Sequence, residues 1–183
     1  RQLPETLPVA RQATTPAFSA FADYRALLGH AVFMRYTWCV TLFYVSAYAF
    51  ITGSPHVYIE FFGVAPQHYG WLFALNIVGL MAVSLANRKL VGRFSLDTLL
   101  RVATTVAAVA MLVCLGLAEA HIGGLAGIVV PVFVFFSMNG IIAASATAAA
   151  LDGVPPQLAG SAAALIGALQ YGSGIVSSLL LAA

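Results

Sequence analysis

Asn87-Arg88-Lys89-Leu90-Val91-Gly92-Arg93-Phe94-Ser95, followed closely by Arg101, is the stretch on which the reading of this chain turns. No residue from Phe61 to Asn87 carries a formal charge, and none from Val102 to Ala118 does. An apolar run of about 18 residues or more is long enough to cross the roughly 30 Å hydrocarbon core of a bilayer as a helix. The basic stretch is therefore expected to be a short hinge between two membrane spans.

Its charge orients the chain. Short loops rich in Lys and Arg stay on the cytoplasmic side, and acidic residues contribute little to that rule. The basic residues are Arg1, Arg11, Arg25, Arg35, Arg88, Lys89, Arg93 and Arg101. If the spans alternate, the first half of that set precedes the first span, the second half sits in the hinge, and all lie on one side. The opposite loops, around Glu60 and from Glu119 to His121, contain none. The hinge 87–101 and the N-terminal segment are thus expected to be cytoplasmic.

Composition closes off other classes. With 61% hydrophobic and 8% charged residues and a mean hydropathy of +0.95, the chain departs far from soluble domains, where about 25% of residues are charged. The net charge of +2 follows from topology and forms no basic surface of the kind that nucleic acid requires. Cys39 and Cys114 fall inside expected spans at no disulfide or metal spacing, and read as packing residues.

In chain order, residues 1–34 read as a cytoplasmic linker and interfacial segment, and 35–183 as a transmembrane bundle. Arg1 to Pro16 carries prolines at 4, 8 and 16. Ala17 to Arg35 mixes Phe18, Phe21, Leu27, Leu28 and Val32 with Asp23, Arg25 and His30, the pattern of a short helix lying on the membrane surface. The first span is expected from Tyr36 to Thr52. Gly53-Ser54-Pro55 then either ends it or kinks it, because Pro lacks an amide hydrogen and disfavours helix just before it. Further spans are expected at 69–86, 99–117 and 125–149, and from Ala159 onward. Tyr58, Tyr69 and Trp71 are placed in an interfacial aromatic belt. The fold class is all-α: a polytopic bundle of about five transmembrane helices. An odd count, ending in apolar sequence, predicts that a further span has been lost.

The expected span interiors contain no Asp, Glu, Lys, Arg or His. Proton relays in transporters use such groups, so a coupling carboxylate would lie outside this chain. What remains is amide and aromatic: Asn76, Asn139 and Gln170, with Phe43, Tyr44, Tyr48, Phe50, Phe135, Phe136 and Tyr171. Of these, Tyr44, Phe50, Asn76, Asn139, Gln170 and Tyr171 are proposed as substrate-lining residues on polarity and depth alone. Pockets for small molecules combine apolar walls with a few hydrogen-bonding groups; the competing reading makes the amides interhelical glue and sends the aromatics to lipid. The small residues Ala143 to Ala150, and Gly160, Ala164 and Gly167, read as close-packing surfaces. His56, Glu60 and His68 match no metal-ligand spacing. Gly53-Ser54 lacks the nucleophile-elbow pattern, so neither a metal, a cofactor nor catalysis is expected.

From Tyr48 to Leu90 the chain resembles the second half of major facilitator superfamily drug exporters, in the bicyclomycin and chloramphenicol resistance branch. The likeness rests on Gly53, Ser54, Pro55, Val57, Tyr58, Ile59 and Glu60; on Gly63, Val64, Pro66 and Gly70; and on Phe73, Ala74, Leu75 and Asn76. It continues through Asn87, Leu90, Val91 and Arg93, and through Asp152, Ala159, Gly160, Ser161 and Ala162. Arg1 to Pro8 is similar to the family's link after its sixth helix.

The resemblance implies helices seven to eleven of a twelve-helix proton antiporter in the bacterial inner membrane. Its partners would be the lipid bilayer, a small drug-like substrate and the N-terminal six-helix half. Asn87, Arg88, Lys89, Gly92 and Arg93 would be the second-half counterpart of the superfamily's cytoplasmic loop motif, whose acid and arginines latch the inward-closed state. Here Asn87 stands in the acid's place and Ser95 replaces a glycine usual in the branch. A small-solute uptake carrier of the same superfamily, or a non-transporting sensor or assembly subunit, are the alternatives.

Overall fold

The computed structural model describes residues 18–182, and among these every regular element is helical. α1 spans Phe18–Leu28, α2 Ala31–Pro55, α3 Pro66–Leu90, α4 Leu96–Glu119, α5 Gly124–Asp152 and α6 Ala159–Ala182. α3 to α6 are each long and apolar enough to cross a bilayer, and α1 together with α2 and its continuation to Phe61 makes a fifth candidate if that bent pair is one span. A helix covers each expected span: α2 to α5 run a few residues beyond the apolar stretches, and α6 begins at Ala159 as expected.

α1 meets α2 at an 88° bend. Gly29 closes α1 with its amide on the Arg25 carbonyl, and His30 leaves the helical region at φ −85°, ψ 96°. The His30 ring then caps α2, its Nδ1 accepting from the Phe33 amide at 3.2 Å; the first amides of a helix have no partner of their own. If α2 stands along the membrane normal, α1 lies in the membrane plane. Its inner side is tied down: Leu27 is buried, and the Ser161 hydroxyl of α6 donates to Asp23 at 3.2 Å. α2 begins at Ala31, ahead of the boundary read from sequence.

At Gly53-Ser54-Pro55 the chain takes the second of its two options. The helix does not stop; it widens into π-helical turns over His56–Phe61, in which the Phe62 amide reaches the Val57 carbonyl at 3.1 Å. Widened turns accommodate a backbone that proline has deprived of a donor. Ser54 stays buried and its hydroxyl meets the Tyr69 hydroxyl at 2.8 Å, joining the end of α2 to the start of α3.

The hinge is shorter than the basic stretch. Asn87 to Leu90 complete the last turn of α3, and only 91–95 are non-helical. Arg93 and Phe94 both return their amides to the Leu90 carbonyl, and Ser95 caps α4 by accepting from the Thr98 amide at 3.3 Å. Charge marked the loop, but basic residues also suit the last turn of a helix, where the dipole is negative.

α5 is the centre of the bundle. It packs on α4, α3 and α2, while α6 packs chiefly on α2. α4 turns Leu100, Ala103, Ala107 and Ala110 inward, a stripe at helical spacing whose alanines permit close approach. α3 turns in Asn76, Gly79 and Asn87. α3 and α5 cross closely at their glycines. A Cβ on Gly140 would lie 2.6 Å from the Ser84 amide nitrogen and 2.7 Å from the Leu80 carbonyl. One on Gly79 would strike Ser137 and the Phe133 ring.

This corrects the expectation for α6. Nothing lies within 4 Å of a Cβ added at Gly160 or Gly167, and Ala164 is exposed. α6 uses a different stripe, Ala162, Ile166, Ser173 and Ser177, to meet its neighbours.

Candidate functional site

Aromatic rings run unbroken through the bundle. From Tyr48 the chain of contacts passes to Tyr44 at 5.9 Å and to Phe43 at 5.9 Å. Phe43 stacks on Phe135 of α5 at 4.6 Å with 19° between planes. Phe135 meets Phe136 edge-on at 5.4 Å, and Phe136 meets Phe50 at 5.3 Å. Phe50 reaches Tyr58 at 6.0 Å, Tyr58 reaches Tyr69 at 6.1 Å, and Tyr69 reaches Phe73 at 6.3 Å. These separations fall in the range in which aromatic pairs attract beyond simple burial. The path joins α2, α5, the π-helical turns and α3.

Of the candidate lining residues, Tyr44 and Phe50 belong to this path, both half-buried. Asn76 is buried on the side of α3 that meets α5, one turn from Gly79. Asn139 is half-buried beside Gly140, and its Oδ1 is sealed from solvent without a hydrogen-bond partner among the described residues. Gln170 is half-buried, and the adjacent Tyr171 is 72% exposed. The structure thus brings Tyr44 and Phe50 into one aromatic chain and puts Asn76 and Asn139 near the α3–α5 crossing. None of the six lines either of two cavities found among the described residues.

The larger cavity lies elsewhere. About 420 Å³ opens at the end opposite the hinge, between the π-helical turns and the α4–α5 turn. His56, Phe61, Phe62, Leu117, His121 and Ile128 are among its walls, and none of the six candidates is. His56 Nδ1 pairs with Glu60 at 2.6 Å, one helical turn on. The π-helical turns therefore build this cavity, and no sequence signal beyond Pro55 pointed to them.

The aromatic belt reading also needs correction. Tyr58 is 2% exposed and Tyr69 half-buried, so both serve the internal path; Trp71, 75% exposed, remains outside. In an apolar chain, an aromatic near a span end looks the same whether it faces headgroups or a neighbouring helix.

In the loop motif, Arg88, Lys89, Gly92 and Arg93 are exposed, while Asn87 is buried with an unpartnered Oδ1 among the described residues. The charge cluster on this side is a different one. Asp97 at the start of α4 takes Arg101 at 2.7 Å and Arg35 of α2 at 3.4 Å, with the Tyr36 hydroxyl at 3.4 Å. The i,i+4 spacing of Asp97 and Arg101 was legible beforehand; the approach of Arg35, from 62 residues away, was not.

A polytopic helical membrane bundle with a small-residue crossing and an aromatic interior is the class these features define. Within it, the chain is 30% identical over 179 residues, 98% of its length, to YdgK of Bacillus subtilis, described as an uncharacterized MFS-type transporter. It is 28% identical over 151 residues, 81% of its length, to a bicyclomycin resistance protein homolog of Haemophilus influenzae. The chain is thus a relative of major facilitator superfamily transporters. It spans 44% and 37% of the length of these two relatives. No protein-family model and no solved structure matches it.

Proposed function

We propose that this chain is part of a membrane transporter that exports small hydrophobic drugs in exchange for protons. The observation that carries the reading is similarity along 98% of the chain to an MFS-type transporter, joined by the bicyclomycin resistance protein homolog. The aromatic interior suits lipophilic substrates, since rings supply large apolar contact with a polar edge at tyrosine. The bundle is the C-terminal transmembrane domain, residues 35–183, behind the linker and interfacial segment 1–34, and it works by carriage, with no catalytic step. It sits in the bacterial inner membrane with the 91–95 turn and α1 on the cytoplasmic side, in keeping with Arg88, Lys89 and Arg93 there.

Substrate contacts the six mid-depth residues Tyr44, Phe50, Asn76, Asn139, Gln170 and Tyr171, in a cavity that this bundle completes together with an N-terminal six-helix half. Transporters of this architecture hold substrate near the midplane between repeats. The sealed Oδ1 of Asn139, without a partner among the described residues, supports that role: an acceptor without a donor costs free energy, and a substrate donor would relieve it. The carboxylate that carries protons lies outside this chain. Of the loop motif, Arg88, Lys89 and Arg93 mainly fix orientation, and helix-end contacts come second.

The test is drug accumulation in cells lacking their own efflux pumps, expressing the complete protein intact or as Asn76→Ala, Asn139→Ala or Gln170→Ala. The expected result is lowered accumulation that a protonophore abolishes and that at least one substitution weakens. Unchanged accumulation over a broad panel of lipophilic compounds would defeat the export reading.

A further inference from the structure

α2 and α4 both pack on α5 but barely touch each other. At the hinge end, the gap between them is a groove of about 230 Å³. Its mouth is polar: Arg35, Tyr36, Asp97 and Arg101. Its floor, about one turn deeper, is Cys39, Leu100 and Thr104. The Thr104 hydroxyl donates to the Leu100 carbonyl at 2.8 Å, so the floor presents carbon and sulfur and no free hydroxyl donor.

The mouth is held in one geometry. Asp97 grips both guanidiniums through separate oxygens, and the Arg35 guanidinium also lies 5.2 Å from the Tyr36 ring centre. One carboxylate between two arginines leaves a net positive charge. Each guanidinium carries five N–H donors in a planar fork, and each makes a single bond to the carboxylate, so donors remain for a second anion. Their side chains are 68% and 77% exposed. Nearby on the same face, Arg88, Lys89 and Arg93 form no ion pair among the described residues, which adds to the positive potential.

We propose that this groove binds an anionic phospholipid, with its phosphate on Arg35 and Arg101 and an acyl chain along Cys39 and Leu100. If α2 stands along the membrane normal, the right-angle bend from α1 into α2 sets Arg35 at the level of the membrane surface and Cys39 one turn below it. Basic pockets between spans on the cytoplasmic side are suited to anionic headgroups; guanidiniums match phosphate, and the ammonium of a zwitterionic head would be repelled by the net positive mouth. A free phosphate would satisfy the mouth and leave the apolar floor unused. The site does not depend on the export reading.

The experiment uses the complete protein, purified and delipidated, then supplied with phosphatidylglycerol or phosphatidylethanolamine and examined by native mass spectrometry. Phosphatidylglycerol is retained, and R35Q/R101Q weakens its binding roughly thirtyfold, from about one surface-charge interaction per arginine. R93Q, outside the lining of the groove, costs at most about fivefold, the value of one such interaction, and so less than the double variant. Should the double variant not fold, Cys39 provides a second readout in the unaltered protein. Its alkylation by N-ethylmaleimide, followed on the Cys39 peptide, slows with phosphatidylglycerol and not with inorganic phosphate or phosphatidylethanolamine. Equal retention by R35Q/R101Q overturns the proposal. So does protection by phosphate alone or by both lipids alike, or a Cys39 that is unreactive under every condition because polypeptide fills the groove.

Discussion

α5 and α6 are written in nearly the same alphabet and live in different surroundings. Both are long, uncharged in their interiors and rich in Ala, Gly and Ser. α5 buries residues in several directions, among them Pro131, Phe135, Gly140, Ile142 and Ala146, because α4, α3 and α2 all lean on it. α6 buries one narrow stripe, Ala162, Ile166, Ser173 and Ser177, and leaves Tyr171, Ile175 and Leu179 exposed. Small residues permit close approach, but the neighbour decides whether they are used. Gly140 meets a backbone where Gly167 meets nothing.

The sharpest way to break this contrast is to remove the ring at the centre. Phe135→Ala opens a hole beside Phe43 and Phe136, and large-to-small changes of this kind cost about 3–5 kcal/mol. Denaturant unfolding of the complete protein in detergent would measure it; a cost below about 1 kcal/mol would mean that α5 is not the packed centre described. Next in size is Gly140→Ala. Its Cβ is opposed by the α3 backbone at Ser84 and Leu80, which cannot rotate aside, so overpacking costs about 1–3 kcal/mol. Gly79→Ala should fall toward the lower end of that range, since Phe133 and Ser137 meet it with side chains that have some freedom.

That asymmetry also marks how far the sequence could be read. Charge placed the hinge, and uncharged length found every span, because a bilayer punishes ions and rewards about 18 apolar residues whatever their order. The faces were another matter. In water, a helix advertises its buried side by contrast with a polar one; in lipid both sides are apolar, and the contrast vanishes. Tyr58 therefore looked interfacial and is buried, while Gly160 and Gly167 looked packed and are open. Two of the candidate lining residues, Tyr44 and Phe50, share the aromatic path, yet their joint position could not be read from depth alone. Arg35 and Asp97 meet only because α2 and α4 flank the same central helix.

On the α6 side, smaller effects are expected, and they sharpen the comparison. The Ser177 hydroxyl donates to the Val45 carbonyl of α2 at 2.7 Å. It is also within 3.0 Å of the Ser173 carbonyl on its own helix. Ser177→Ala should cost about 0.6 kcal/mol and less than about 1.7, the range of interhelical hydrogen bonds in membranes. The same unfolding measurement reads it, and a loss as large as that of Gly140→Ala would erase the distinction between the two helices.

The smallest change is the most discriminating. Gly167→Ala adds a methyl where nothing lies within 4 Å, and alanine is about 0.8–1.0 kcal/mol better than glycine within a helix. Within this bundle the substitution should therefore be neutral or slightly stabilising, opposite in sign to Gly140→Ala. Measured in the complete protein, a loss of about 1 kcal/mol or more, the cost of overpacking, would mean that other polypeptide covers this face of α6. α6 would then be a second packed helix, and its open surface would belong to these residues taken by themselves.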